Sequence, residues 1–204
     1  MEAHEIAETI HEQSEPHAHA TPDTLRKITG IYVGVVAMLL AIATLGGGNA
    51  TKEMLSANIH ASDTYNFYQA KYIRQLQYEA TAEQIQLLAA AGTGLSPEQA
   101  AKAAEVVKHY RDTAARYESE PATGNGKQEL LAKAHEWEER RDIAAAQTPN
   151  FEFAEAAYQI AIVLGSVAIV AASPLILCVS AGLASLGILL TLNGFLLLVP
   201  LGPG

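Results

Sequence analysis

The residues of this chain that could do chemistry are histidines and glutamates spaced one helical turn apart. His135 and Glu139 share one face of a charged segment, and Glu105 and His109 repeat that spacing earlier in the chain. A zinc hydrolase motif needs a second histidine, and a di-iron bundle needs two Glu-x-x-His pairs with two further glutamates. Because neither set is complete, we expect solvated charged helix faces without a metal or any other cofactor.

Two further segments carry weaker signals for chemistry. Residues 124–128 partly match a phosphate-binding loop, but Pro121 replaces the first glycine and Gln128 replaces the magnesium-binding hydroxyl. We therefore expect a turn with an exposed Lys127. The polar N-terminal tail contains His4, His11, His17 and His19. These histidines could hold a transition metal loosely, or make the tail soluble and pH-responsive. No catalytic set emerges, so we expect no enzyme, and a metal-dependent enzyme is the third choice of function.

The elements that must position these residues are set by three long apolar segments. Residues 28–45, 156–172 and 175–199 contain no charged residue and no histidine, and all charges lie before residue 28 or in residues 52–155. A bilayer core of roughly 30 Å takes about 20 helical residues to cross. We therefore expect an all-α integral membrane protein. It has three transmembrane helices and an extramembrane domain of about three helices between the first and second.

The expected boundaries follow from helix start and stop signals. Gly46-Gly47-Gly48 is expected to end the first span, and Thr148-Pro149 is expected to begin a new helix that enters the second. Ser173-Pro174 leaves almost no loop, so a tight hairpin and one long kinked segment both remain open. The resulting organisation is a tail at 1–27, transmembrane helices at 28–46, 151–173 and 174–200, an extramembrane domain at 47–150 and a C-terminal end at 201–204.

Within the extramembrane domain, three helices are expected. They cover residues 51–91, 97–118 and 127–147, and the second begins with a capping box at Ser96-Pro97-Glu98-Gln99. Tyr65, Tyr68 and Tyr72 belong to an apolar stripe on the first of these helices. Packing against the other two helices is one interpretation of the tyrosines, and a surface for a partner is the other.

Small and polar residues in the spans predict helix–helix contacts. Gly30 and Gly34 form a G-x-x-x-G pattern that Ala41 extends, and such faces let helix backbones approach closely. Gly165 is assigned the same packing role in the second span. Asn193 in the third span is costly in lipid, so it must bond something, most simply a neighbouring helix.

Composition and packing surfaces together suggest a function. The net charge of −9 and the pI of about 5.2 argue against nucleic-acid binding. The expected partner is the lipid bilayer. The packing surfaces predict a structural or accessory membrane subunit that forms a homo-oligomer or docks on a larger membrane complex. An oligomeric pore or channel subunit, with Ser, Thr and Asn193 facing a common axis, is the alternative.

A family resemblance agrees with this layout. The segment Ala61–Lys71 (ASDTYNFYQAK) and the His- and Glu-rich N-terminus are followed by one span, a helical insert and two spans. The chain resembles an uncharacterised bacterial inner-membrane family known only as a domain of unknown function. The resemblance implies a multi-pass protein of the bacterial inner membrane and no site residues. Arg26 and Lys27 are the only basic residues directly flanking a span, so the N-terminus is predicted to be cytoplasmic and the helical domain periplasmic.

Overall fold

The computed structural model describes residues 21–91 and 94–199, and these residues form four helices and no strand. The helices are α1 (Thr21–Ala90), α2 (Pro97–Glu118), α3 (Lys127–Ala171) and α4 (Pro174–Leu196). The expected all-α class is confirmed. Three of the helices, α1, α3 and α4, are long and apolar enough to cross a membrane. The four tail histidines and the C-terminal end at 201–204 lie outside the described residues.

The helical layout differs from the expected one at Gly46-Gly47-Gly48, where α1 continues without a break. Glycine disfavours a helix because it loses much backbone freedom on folding, which is why three in a row predict an end. Packing gives these glycines another role. A Cβ at Gly46 would lie 2.5 Å from a ring carbon of Phe151, and one at Gly47 would lie 3.1 Å from the Phe151 Cβ. Gly46 and Gly47 therefore make room for an aromatic ring within a continuous helix.

The layout differs again at Thr148-Pro149, because α3 runs through this expected helix start. Proline removes a backbone donor and normally interrupts a helix interior. Here the side-chain amide of Asn150 donates a hydrogen bond of 3.0 Å to the backbone oxygen of Ala146. This bond accompanies the continuous helix but does not replace the backbone bond to the Ala145 oxygen that Pro149 cannot donate. The third helix of the expected domain and the second apolar segment are therefore one element.

The start of α2 agrees with the sequence prediction. The Ser96 hydroxyl accepts from the Gln99 backbone N–H at 3.2 Å, and the Gln99 side chain accepts from the Ser96 N–H at 2.8 Å. Pro97 occupies the first helical turn. The capping box thus satisfies two backbone donors at a helix start, as the sequence predicts.

A tight hairpin joins α3 to α4, which decides between the two alternatives at Ser173-Pro174. Ala172 adopts a left-handed conformation with φ of 48°, and α4 begins two residues later. Further along, the Ser180 hydroxyl donates to the backbone oxygen of Ala161 at 2.6 Å. The two helices therefore return along each other instead of forming one kinked segment.

The chain divides into two compact units. Of the described residues, the apolar unit contains 21–48 and 146–199, and the charge-rich unit contains 49–91 and 94–145. The buried core of the apolar unit contains Val36, Ala43, Ala154, Tyr158, Ala161 and Ala184. In the charge-rich unit, the buried side chains of α1 include Ala50, Ala57, Ala61 and Thr64. Their spacing of three, four or seven residues is typical of coiled-coil packing.

Candidate functional site

The interior of the apolar unit is built from aromatic rings that lie against glycines. A Cβ at Gly187 would come within 2.6 Å of the Tyr158 ring, and one at Gly194 would come within 2.9 Å of the Phe151 ring. Both rings are fully buried. Close approach of α3 to α4 therefore depends on the absence of a side chain at these two positions.

Sequence reasoning missed this face of α4, although the sequence carries a signal for it. The buried residues of the helix are all small and recur at steps of three or four: Ser180, Ala184, Gly187, Thr191 and Gly194. A run of small residues at that spacing predicts a close helix contact in a membrane protein. The G-x-x-x-G pattern on α1 lies on a different surface.

Neutral hydroxyl pairs connect the three helices of the apolar unit. The Tyr32 hydroxyl of α1 lies 2.8 Å from the Ser180 hydroxyl of α4. The Tyr158 hydroxyl of α3 lies 3.2 Å from the Thr191 hydroxyl, which also donates to the Gly187 backbone oxygen at 2.8 Å. Such bonds stabilise helix association in lipid by about 0.6–2 kcal/mol each. These two pairs satisfy the hydroxyl groups of their four residues.

Asn193, expected to bond a neighbouring helix, lies against Asn150 of α3. Its side-chain amide donates to the Asn150 side-chain oxygen at 2.6 Å and to the Val199 backbone oxygen at 2.7 Å. The Val199 N–H donates back to the Asn193 side-chain oxygen at 2.9 Å. Asn193 thus connects α3, α4 and the residues that follow α4.

The four small residues assigned to packing fall into two groups. Gly165 is buried, and a Cβ there would lie 2.7 Å from a Val33 methyl group. Gly30, Gly34 and Ala41 are exposed, and a Cβ at either glycine would meet no heavy atom of the described chain within 4 Å. The structure therefore brings Gly165 into an internal contact and leaves the α1 face open.

The three assigned tyrosines make contacts inside the charge-rich unit. The rings of Tyr68 and Tyr72 are parallel with centroids 6.5 Å apart, and the Lys127 ammonium lies 4.9 Å from the Tyr72 centroid. Tyr65 meets the His135 ring edge-on at 6.5 Å. Partial burial raises the pKa of Tyr65, and the neighbouring Glu138 carboxylate acts in the same direction. Tyr65 and Tyr72 therefore contact side chains of α3, as the packing interpretation expects, while Tyr72 remains 45% exposed.

Lys127 departs from the expectation of an exposed loop lysine, because it is buried. Its ammonium lies 2.8 Å from a Glu118 carboxylate oxygen and donates to the Gln75 side-chain oxygen at 2.7 Å. The hydrogen bond from Lys127 does most to lower the pKa of Glu118, and side-chain hydrogen bonds from Gln128 and Gln75 act in the same direction. Three helices meet at this charge, and no local sequence pattern indicates that they would.

The expected charged helix faces carry no assembled metal site in the described part of the chain. His135 Nδ1 pairs with Glu138 at 3.0 Å. Among the described residues, no group of three His, Cys, Asp or Glu side chains is placed to hold a metal ion. The chemistry that these contacts support is neutral hydrogen bonding and ion pairing, which hold helices together.

Comparison with known proteins places the chain in a family. No curated protein and no solved structure matches it. A family model described as a domain of unknown function, DUF4337, matches residues 25–197, which include almost all of the four helices. This agrees with the resemblance to a family of unknown function. The chain belongs to the DUF4337 family.

Proposed function

We propose that this chain is a structural or accessory subunit of a membrane assembly. It forms a homo-oligomer, or docks on a larger membrane complex, through the open α1 face and through its helical domain. Its partners are the lipid bilayer and other membrane helices. We propose no reaction and no nucleic-acid partner.

One observation carries the proposal: the glycines of the apolar unit are used in two ways. Gly187 and Gly194 already receive aromatic rings, whereas Gly30 and Gly34 face no atom of the described chain. In lipid, where apolar surface alone gives helices little reason to associate, small residues favour association because they permit close packing. An open small-residue face on a helix that can cross a membrane is therefore suited to a second helix.

The polar groups of the apolar unit also favour this proposal over an oligomeric pore. A pore would need hydroxyl or amide groups that face a common axis. Ser180 and Thr191 instead bond inside the unit, and the exposed Ser166 and Ser185 donate to backbone oxygens of their own helices at 2.9 and 2.8 Å. Each of these hydroxyls thus already donates to an atom of its own chain.

Native mass spectrometry of the detergent-extracted protein tests the proposal. The wild type should appear as an oligomer or with a co-purifying membrane protein. Gly30→Leu combined with Gly34→Leu should reduce the assembled fraction about ten-fold, because bulky side chains prevent close helix approach. Gly182→Leu is the matched control, since Gly182 is exposed on α4 and a Cβ there also meets no heavy atom within 4 Å. A wild-type monomer without a partner would sink the proposal.

The location is part of the proposal. The family resemblance and the basic residues Arg26 and Lys27 favour the inner membrane of a bacterium, with a cytoplasmic N-terminus and a periplasmic helical domain. In a Cys178→Ser background, Ala122→Cys places one thiol on an exposed turn of the charge-rich unit. A membrane-impermeant maleimide should label it once the outer membrane is permeabilised. Labelling only after the inner membrane is broken would reverse the orientation.

A further inference from the structure

In the charge-rich unit, α1 carries large apolar side chains that are about half exposed in the described chain. Leu55, Ile59, Ile73 and Leu76 are between 45% and 59% exposed. Ala80, four residues after Leu76, is exposed as well. We call these five residues the outer seam. Aligned apolar side chains on the surface of an otherwise charged helix mark an interaction surface.

The outer seam follows the heptad repeat of coiled coils. Its members are separated by 4, 14, 3 and 4 residues along the chain. All of these spacings fit a 3.5-residue period. Ala57, Ala61 and Thr64, on the other side of the same helix, have the same period and are buried inside the unit. Because the buried side of α1 packs with a 3.5-residue period, the outer-seam residues on the opposite side stay aligned along the helix axis.

Polar residues occupy the middle of the repeat and restrict the choice of partner. Ser62, Asn66 and Gln69 fill the positions between Ile59 and Ile73, and all three are exposed. An apolar partner would leave the Ser62 hydroxyl and the two amides without hydrogen bonds, which is costly. A second copy in register presents the same amides at the same height. Asn66 falls at the heptad position where a single asparagine specifies register in coiled coils.

Pairing with a second copy also agrees with the orientation of both copies in the membrane and with the charges beside the seam. Two copies inserted in one bilayer point the same way, so their α1 helices run parallel. Asp63 and Glu79 are the charged residues beside the seam, and parallel pairing sets them against Asn58 and Gln84 of the second copy. No like charges meet in these pairs. Glu83 occupies the next seam position, where two carboxylates would meet and oppose pairing.

We propose that the outer seam pairs with the outer seam of a second copy as a parallel, in-register coiled coil from Leu55 to Ala80. The inference rests on the proposed self-association and names the surface and the partner for the helical domain. The pairing length is about 39 Å at 1.5 Å per residue. A seam with polar residues at three of its positions pairs only weakly by itself. Confinement of both copies to one membrane raises their effective concentration and so favours pairing.

Disulfide trapping in native membranes tests the pairing. In a full-length Cys178→Ser background, Ile59→Cys and Ile73→Cys are compared with Arg74→Cys, which lies one residue from the seam on an exposed face. After a brief treatment with a copper–phenanthroline oxidant, both seam variants should give disulfide-linked dimers about ten-fold faster than Arg74→Cys. A disulfide needs Cα atoms within about 7 Å, which only seam positions of a helix pair provide.

The possible outcomes separate this inference from the proposed function. Fast trapping at both seam positions requires a parallel register, because an antiparallel pair brings identical residues together only at its centre. Equal rates at all three positions, trapping at one seam position alone, or no trapping would each overturn the pairing. Native mass spectra of the unoxidised variants then separate the two proposals. An oligomer without seam disulfides leaves the proposed function intact, and a monomer without a co-purifying membrane protein overturns both.

Asn66→Leu provides a second, independent measurement. Replacing the polar layer by leucine should make the association more resistant to dilution and should add further oligomeric species, as loss of a register-setting asparagine does in coiled coils. Because Asn66 is exposed in the chain itself, circular dichroism of the variant should match that of the wild type. An unchanged oligomer distribution would place Asn66 outside any interface and overturn the proposal.

Discussion

The apolar unit and the charge-rich unit each pack three helical segments, yet they hold their polar groups in different ways. In the apolar unit the partners are neutral: hydroxyls face hydroxyls, and Asn193 bonds Asn150. In the charge-rich unit an ammonium, Lys127, pairs with a carboxylate, Glu118. Ions at membrane depth are costly, whereas water compensates partly exposed ions. The sets of partners therefore match the surroundings proposed for the two units.

The two units also differ in how closely their helices approach. Glycines of the apolar unit admit the rings of Phe151 and Tyr158, while buried alanines such as Ala57 and Ala61 line α1 in the charge-rich unit. Packing must replace the hydrophobic effect between helices in lipid. Added volume in the apolar unit should therefore do more harm than lost charge in the other unit.

The largest expected effect is that of added volume against Tyr158. Gly187→Val should lower the free energy of unfolding by about 2–3 kcal/mol, since overpacking a tight core forces neighbours to shift. Gly182→Val is the matched control on the same helix, because nothing lies within 4 Å of a Cβ there. Unfolding in mixed micelles with increasing dodecyl sulfate measures both variants. Equal destabilisation would show that helix propensity, and not the ring contact, causes the loss.

The next effect concerns the amide pair of the apolar unit. Asn193→Ala removes three hydrogen bonds, including the one to the fully buried Asn150, and should cost about 1–2 kcal/mol. A double-mutant cycle with Asn150→Ala isolates the pair, and the coupling should be about 1 kcal/mol. The same micelle titration gives all four free energies. Additive losses would mean that the two amides act independently.

Whether a contact could be predicted from the sequence depends on how far apart its residues lie along the chain. The capping box at Ser96 and Gln99 involves residues three apart, so the sequence sufficed to predict it. The close contact of Gly46 with the Phe151 ring joins residues more than a hundred positions apart, and a local pattern could not show it. The burial of Lys127 likewise needs Gln75 and Glu118 from two other helices.

A smaller effect is expected at the start of α2 in the charge-rich unit. Ser96→Ala removes the oxygen that accepts from the Gln99 N–H and should lower the free energy of unfolding by about 1 kcal/mol. Ser56→Ala is the control, since Ser56 is an exposed residue inside α1. Circular dichroism of the full-length protein during thermal unfolding reports the difference. A loss from Ser56→Ala as large as that from Ser96→Ala would argue against the cap.

The smallest expected effect is the pH dependence of the Glu118–Lys127 pair. The Lys127 hydrogen bond lowers the pKa of Glu118 in the folded state. A lowered folded pKa contributes stability that is present above the unfolded value of about 4.3. That stability is lost as the pH falls through the folded value. The Glu118 side chain is 42% exposed and Lys127 only 11%, so water screens the pair from one side and the contribution stays small.

Glu118→Gln should therefore unfold more easily than the wild type at neutral pH and equally easily in acid. Thermal unfolding of the full-length protein, followed by circular dichroism from about pH 7 to about pH 3, spans the relevant titration. Glu98→Gln is the control, because Glu98 is largely exposed and lies 3.9 Å from its partner Lys102. A Glu118→Gln defect that persists unchanged at low pH would mean that the carboxylate acts through packing and not through its charge. That result would contradict the view that an ion pair stabilises the charge-rich unit, in contrast to the neutral hydrogen bonds of the apolar unit.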